Sequence, residues 1–421
     1  MEDQGLCKRD CVSSKQAIEM KRKNVLFVCS VFYPEPIVSA RIQTDLAMKL
    51  AEKYNVTILR PSPTRPKGFV MPEYDYSKFP FRVIEIDSYT HPASSVVGRF
   101  RESISHGLCC AKYIRRHHNE IDFIYNDSWH LFGLYFVART ANKYGIPYMT
   151  PVQDVYPESL ASKMPDSSML RKLVMYLLSP IDRYTLSHAK LIQANSEKMA
   201  DYLSKTRDLD QKKLVVVRNW QDEHEFIDYA AQNKDRPNDV PFTFMYLGNI
   251  GPLAGIEVLF DAFAKADLKN ARLVIAGSGP TKADLQQKSK RYSCNIEFWE
   301  VPAGKVPETQ AQADVMLLPV KKGFANSSVP SKLIAYMFSA KPIIASVDAE
   351  SDTAECITTS GAGWVVEPEN VDFLSSAMIH ANNSHKKVLK DMGEKGKTYS
   401  LHYFSSRENL ALLVETCDLI I

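Results

Sequence analysis

Between Asp314 and Ser346 the chain reads DVMLLPVKKGFANSSVPSKLIAYMFSAKPIIAS, a pattern of residue types suited to holding an anion. Ser327, Ser328 and Ser331 gather where a helix should begin, and Pro330 fits a first-turn position because its missing N–H would be unpaired there anyway. Lys332 stands beside them, and Phe324, Ala325 and Asn326 complete the loop of mostly small residues. Free first-turn amides, hydroxyl side chains and a nearby ammonium suit a phosphate or diphosphate. Every strand-loop-helix unit has a helix N-terminus, however, so the assignment needs support from the rest of the chain.

The elements around the loop follow from hydrophobic pattern. A buried strand is predicted over Val315 to Leu318, a helix over Ser331 to about Ala340, and a strand over Pro342 to Ala345. Leu333, Ile334, Met337 and Phe338 recur at helical spacing, which commits one helix face to the sheet. Upstream, NVLFVCS, a loop, a helix through IQTDLAMKLAEKY and VTILR form a strand-loop-helix-strand unit, and further units follow as far as LVVVRNW. FTFMYLG, the loop NIGPLAG, a helix and RLVIAG then repeat the same unit. The predicted class is α/β, with two Rossmann-like doubly wound parallel-sheet domains facing each other across a cleft.

The expected boundaries are a loose extension over 1–23, a first domain over 24–225, a polar aperiodic linker over 226–240 and a second domain over 241–400. A C-terminal helix within 401–421 is expected to pack back on the first domain. Ligands of such sheets lie outside the carboxyl ends of the strands. Phe32 to Arg41, Gln153 to Leu160, Gly248 to Gly255, Gly277 to Pro280 and Lys321 to Lys332 should all meet there.

Composition removes several other classes. The formal charge of +3 on 421 residues is too small to imply nucleic acid, and no nucleic-acid motif is visible. Eight cysteines without paired CxxC spacing suggest neither a zinc site nor a disulfide framework. No apolar run approaches the roughly 20 residues of a spanning helix, and MEDQGLCKRD lacks a hydrophobic signal core. A cytoplasmic protein is expected, possibly peripheral on the inner face of the cytoplasmic membrane.

The order of these loops resembles the GT-B glycosyltransferases of glycosyltransferase family 4. The resemblance runs from about Asn24 to Leu410 and rests on Met245 to Gly255, Ala276 to Pro280 and Phe324 to Ser346. FYPEP and SAR (Phe32 to Arg41), QDVYPESL (Gln153 to Leu160) and SVPSKL with the YM after it (Ser328 to Met337) resemble the branch that builds bacterial surface polysaccharides, capsule or O-antigen, with N-acetylated aminosugars. The resemblance implies a retaining, metal-independent transferase with a UDP-sugar donor and no cofactor. It implies a glycan or lipid-diphosphate-linked acceptor on the first domain. It also implies donor contacts from Gly248, Asn249, Gly251, Gly277, Gly279, Trp299, the loop Phe324 to Ser328, and Ser331, with the base near the backbone of Phe298 to Val301.

The departures are as informative. The family's Arg and Lys in the loop aligned with Asn249 and Ala254 are absent here, as are its two glutamates, aligned with Ser327 and Ala335. Lys332, Lys321, Lys322 or Arg41 would have to supply the charge, and Lys332 is favoured by its first-turn position. Where many relatives have a histidine, this chain has Asp154, either a group that takes the acceptor proton or orients a sugar hydroxyl, or a turn cap. Glu158 is the second acid of that loop. His130 either faces the cleft or packs, Ser39 and Arg41 either meet phosphate or begin a helix, and Trp299 is alternatively core. The only DxD, Asp208 to Asp210, reads as an exposed helix end.

Two segments, VVGRFRESISHGLCCAKYIRRHH and SKMPDSSMLRKLVMYLLSPIDR, interleave basic and apolar residues. They fit either a surface touching anionic lipid headgroups or ordinary amphipathic helices. Two other functions remain open at this stage, a GT-B sugar-nucleotide epimerase and a non-catalytic sugar-nucleotide-binding scaffold.

Overall fold

The strand segments are near-continuous runs of Val, Ile, Leu and Phe, and such runs belong to parallel sheets covered by helices on both faces. The computed structural model describes residues 22–65, 69–91, 96–161, 164, 168–232, 240–252, 254–322 and 329–420. The proposed extension over 1–23 therefore lies almost wholly outside the described residues.

The first domain runs β1(Asn24–Cys29), α1(Val38–Ala51), β2(Asn55–Pro61), β3(Arg82–Ile86), α2(Val96–His117), β4(Phe123–Asp127), α3(Leu131–Lys143), β5(Tyr148–Val152), α4(Glu158–Ala161), α5(Met169–His188), β6(Leu191–Ala194), α6(Glu197–Arg207) and β7(Leu214–Val216). Its seven strands are parallel in the order β3-β2-β1-β4-β5-β6-β7.

After α7(His224–Ala231), the second domain runs β8(Phe242–Leu247), α8(Glu257–Ala266), β9(Ala271–Ala276), α9(Lys282–Ser289), β10(Ile296–Trp299), α10(Val306–Ala311), β11(Val315–Pro319), α11(Ser331–Phe338), β12(Ile343–Ser346), α12(Asp352–Ser360), β13(Gly363–Val366), α13(Val371–Asn383) and α14(Lys386–Tyr403), and α15(Ser406–Asp418) ends the chain. Its six strands are parallel in the order β10-β9-β8-β11-β12-β13. The two sheets are the doubly wound pair that the strand pattern predicts.

Side-chain alternation along each strand splits both sheets between two cores. On β1, Val25, Phe27 and Cys29 face α1 and α15, while Leu26 and Val28 face the layer of α2, α3 and α5. In the second domain Met316 and Leu318 join α11, whereas Val315 and Leu317 join α8 and α13.

The stretch read as a linker is corrected in part. Phe226 is buried in the second domain's core, so α7 docks there and the chain is helical over 224–231. Charged residues around one buried phenylalanine hide that helix from a periodicity reading. At the other end α14 continues to Tyr403, and α15 begins at Ser406 with Leu413, Val414 and Cys417 in the first domain's core. The two crossings between domains touch, because Gln221 N–H donates to Phe404 O at 3.1 Å and Glu223 accepts from Ser406 N and Oγ at 2.8 and 2.9 Å.

Candidate active site

On the second domain the carboxyl ends of β8, β9, β10 and β11 bring the glycine loops against the start of α11. Gly248 N–H donates to Ala276 O at 3.1 Å, Ile250 N–H to Ser278 O at 2.8 Å, and Gly277 N–H to Trp299 O at 3.0 Å. Gly277 has φ 124°, and a Cβ there would lie 2.2 Å from Gly248 O, so only glycine allows the two loops to meet. Gly279 lies against Ile250, Gly251 is near the Asn249 side chain, and Asn249 itself is exposed.

Lys332 occupies the first turn of α11 and lies along Gly248, where an added Cβ would be 2.5 Å from Lys332 Cε. Its Nζ sits 4.9 Å from the centroid of the Tyr246 ring. Burial alone lowers its pKa, since no carboxylate contributes. A half-desolvated ammonium with no acidic partner among the described residues gains most from an arriving anion. No side chain caps α11, whose N-cap is Pro330, and Ser331 is its exposed first residue. The helix therefore starts one residue after the proline that the sequence reading put in the first turn. Phe324, Ala325, Asn326, Ser327 and Ser328 lie outside the described residues.

Tyr336, fully buried on α11, fixes this arrangement. Its hydroxyl donates to Leu247 O at 2.8 Å and accepts from Leu247 N–H at 3.0 Å, tying α11 to the end of β8. Tyr336→Phe is expected to cost about 1–3 kcal/mol in urea unfolding, because two buried backbone groups lose their partner.

Trp299 is half-buried. It packs on the second domain's core, its indole N–H donates to Glu297 at 2.8 Å, and Arg272 stacks on its ring at 4.9 Å. One side of the indole thus meets the core, and the backbone stands at the strand end. Lys322 is exposed and reaches Glu367 only at 4.0 Å, while Lys321 lies beside Gly255.

The first domain meets several of its candidates with corrections. Glu158 is not a free acid. Arg207 holds both of its oxygens at 2.6 and 2.7 Å, Tyr202 donates to it at 3.1 Å, and the carboxyl is held below the usual range because these bonds outweigh the burial that would raise it. Arg41 is exposed but paired with Asp222 at 2.6 Å, so it braces the domain crossing. It also borders a groove of about 410 Å³ lined by Tyr33, Glu35, Val38 and Asp45. Ser39 is exposed in the first turn of α1, which has no side-chain cap. Asp154 is exposed and has no side-chain partner among the described residues. Asp208 ends α6 and pairs with Arg183 at 3.3 Å, while Asp210 caps a short turn through Lys212 N–H.

His130 lies in a buried network rather than on the cleft wall. Its Nδ1 is 3.2 Å from Ser30 Oγ, and its Nε2 accepts from the Trp129 indole at 2.7 Å. Burial lowers its pKa, so it is neutral near pH 7, and Arg65 is then the charge that holds Glu102. Burial would raise the Glu102 pKa, but the Arg65 guanidinium, with His130 alongside, more than offsets it and leaves it at about 2.

A depressed carboxylate contributes stability above its unfolded pKa and loses it as pH falls toward the folded value. Between about pH 4.5 and 2 the wild type should therefore lose about 2 kcal/mol relative to Glu102→Gln, measured by denaturant unfolding across that window.

Glu35 is the other buried anchor. It accepts from Phe32, Thr64 and Arg65 N–H at 3.2, 3.0 and 2.9 Å, and fully buried Arg60 approaches it at 3.5 Å, which fixes the FYPEP loop. Tyr246, Arg207, Glu102 and Arg60 were all missed by the sequence reading. A lone Arg at a helix or strand end carries no signal that its partner sits tens of residues away. Asp222, Glu223 and His224 bring three potential ligand atoms within 4.8 Å, but Glu223 is already bonded to Ser406 and Asp222 to Arg41. That cluster ties the domain crossing.

Comparison with known proteins agrees with this arrangement. Residues 40–225 match the family model described as Glycosyltransferase Family 4, and residues 241–383 match the model described as Glycosyl transferases group 1. The chain is 25% identical over 240 residues to the probable glycosyltransferase WbjE of Pseudomonas aeruginosa, covering 54% of this chain and 57% of that protein. It is 24% identical over 194 residues to the putative colanic acid biosynthesis glycosyl transferase WcaI of Escherichia coli K12, covering 43% and 47%. The match thus spans about half the length of these curated relatives.

Among solved structures, Anabaena HepE in complex with UDP superposes with a TM-score of 0.66 at 15% identity, covering 94% of this chain and 100% of that one. WaaG, a glycosyltransferase involved in lipopolysaccharide biosynthesis, superposes with a TM-score of 0.63 at 15% identity, covering 94% and 99%. At such identities the likeness is one of fold, the GT-B pairing of two Rossmann-like domains.

Proposed function

Because the chain belongs to glycosyltransferase family 4, we propose that it is a retaining, metal-independent transferase that moves a sugar from a UDP-sugar to a glycan or lipid-linked acceptor. Its place is the building of bacterial surface polysaccharide, with an N-acetylated deoxyaminosugar as the donor sugar. The observation that carries the donor half is Lys332, desolvated and without a carboxylate partner among the described residues, at the start of α11 beside the glycine loops. Support for the nucleotide comes from HepE, whose structures include UDP and UDP-glucose complexes, and for the pathway from the names of WcaI and WaaG.

In this reading the bond from the anomeric carbon to the diphosphate breaks and the acceptor oxygen bonds to that carbon. Lys332 and the α11 amides take up the charge that develops on the diphosphate. That charge rises as the bond breaks, so the same contact stabilises the transition state more than the bound donor. The acceptor proton passes to Asp154, the carboxylate left without a partner on its loop once Glu158 is held by Arg207.

The test is a screen of UDP-aminosugars with lipid-linked acceptors in EDTA, following UDP release and the product's anomeric configuration by NMR. Acceptor-dependent UDP release with retained configuration is expected. Inversion, a strict need for divalent metal, or donor epimerisation without an acceptor would each contradict the reading.

A further inference from the structure

The strand order of the first sheet reverses direction between β1 and β4. From β1 the chain crosses to β2 on one side, and β4 starts the run on the other, so α1 and α3 lie on opposite faces of the sheet. A crevice opens at the carboxyl ends of two such strands, and sheets of this kind take their ligands there. Its walls are the loop from Ser30 to Ile37 after β1 and the loop from Ser128 to His130 after β4. Ser30 Oγ lies 3.3 Å from Ser128 Oγ and 3.2 Å from His130 Nδ1, which ties the two walls together at their base.

Trp129 stands in the β4 wall and is 42% exposed, whereas its neighbours Ser128 and His130 are buried. The ring is held from behind. Its indole N–H donates to His130 Nε2 at 2.7 Å, so Nδ1 of that neutral imidazole carries the proton and donates to Ser30. Arg65, itself only 6% exposed, stacks over the ring 4.9 Å from its centroid and is fixed by Glu102 at 2.5 Å, so it backs the ring from the protein side. Arg99, more exposed, borders the same ring at 6.0 Å and also reaches Glu102. The indole has used its one donor internally, and what it offers to solvent is a π face. Core packing explains a buried tryptophan; it does not explain a ring braced by a buried ion pair with its open side at a ligand crevice.

From this geometry we infer that Trp129 is the stacking platform for the acceptor's sugar ring, a pyranose whose C–H face lies on the indole while its hydroxyls meet Arg99. A pyranose has both halves of that chemistry, an apolar face of ring hydrogens and a rim of hydroxyls, and the site has an apolar face beside a guanidinium with five donors. A nucleobase would also stack on an indole, but the glycine loops and Lys332 lie on the other domain, so the base of the donor has its place there. The inference rests on the transfer reading for calling this sugar the acceptor. The sugar contact itself needs neither donor nor turnover.

The test is saturation-transfer NMR of the full chain with the methyl glycosides of glucose, galactose, N-acetylglucosamine and N-acetylgalactosamine, beside calorimetric titration with UDP. At least one glycoside should receive saturation from the wild type, concentrated on the ring hydrogens of one face. Trp129→Ala should weaken that binding about ten-fold or more, and Trp129→Phe, which keeps an aromatic face, should retain most of it. UDP affinity should be the same in all three proteins. Saturation of none of the four glycosides by the wild type would overturn the inference, as would equal glycoside binding by Trp129→Ala. A fall in UDP affinity in Trp129→Ala would also overturn it, because the ring would then serve the donor. Absence of UDP binding with glycoside binding intact would contradict the transfer reading and still support the platform.

Discussion

Lys332→Ala is expected to lower kcat/KM for sugar transfer about 100-fold, the scale on which removal of one preorganised charge stabiliser acts. The loop after β8, Gly248 to Gly255, holds no cation, so Lys332 is the one the fold places at the helix start. Stability should not follow activity. A lysine whose pKa is lowered by burial is held charged at a cost in the folded state, and Lys332→Met keeps the packing over Tyr246 while removing that cost. The methionine variant should therefore melt at or above the wild-type temperature and still be inactive. UDP affinity should also fall as pH rises through the depressed lysine pKa, and the slope should vanish in the variant. A variant that loses activity and stability together would mark Lys332 as a packing residue.

Arg207→Met should be the most destabilising substitution, by about 3–5 kcal/mol in urea unfolding, because it leaves buried charge without its counter-ion. Arg207 is 5% exposed and lies between Glu158 and Asp182, with Nε 2.8 Å from Asp182 and Nη2 3.0 Å from Tyr156 O. Burial already pushes the Asp182 pKa up to about 6 in spite of that guanidinium. Without it, two carboxyls and a carbonyl share one site, and Asp182 would take up a proton near neutral pH. Adding Asp182→Asn to Arg207→Met should restore part of the loss. The same geometry predicts that Glu158→Gln loses stability more than turnover, whereas Asp154→Asn loses turnover and keeps its fold. The reverse pattern in the two acids would return Glu158 to the chemistry.

What the sequence made legible follows from the range of each interaction. Parallel strands advertise themselves as short apolar runs, and Gly248 and Gly277 mark close approaches that need no partner to be recognised. The buried pairs Arg60 with Glu35, Arg65 with Glu102 and Arg207 with Glu158 span 25, 37 and 49 positions. No local pattern distinguishes such a charge from a solvated one. For that reason Glu158 and Arg41 were read as chemical groups, and the fold shows them engaged. α7 was hidden for a related reason, since only Phe226 of its eight residues is buried and one residue has no period.

The most direct test of the donor site is calorimetric titration of UDP, GDP and CMP into the full chain in EDTA, with Lys332→Ala beside it. UDP should bind, GDP and CMP at least ten-fold more weakly, and the alanine variant should lose about ten-fold in UDP affinity. No binding of UDP, or binding that appears only when divalent metal is restored, would contradict the donor-site assignment.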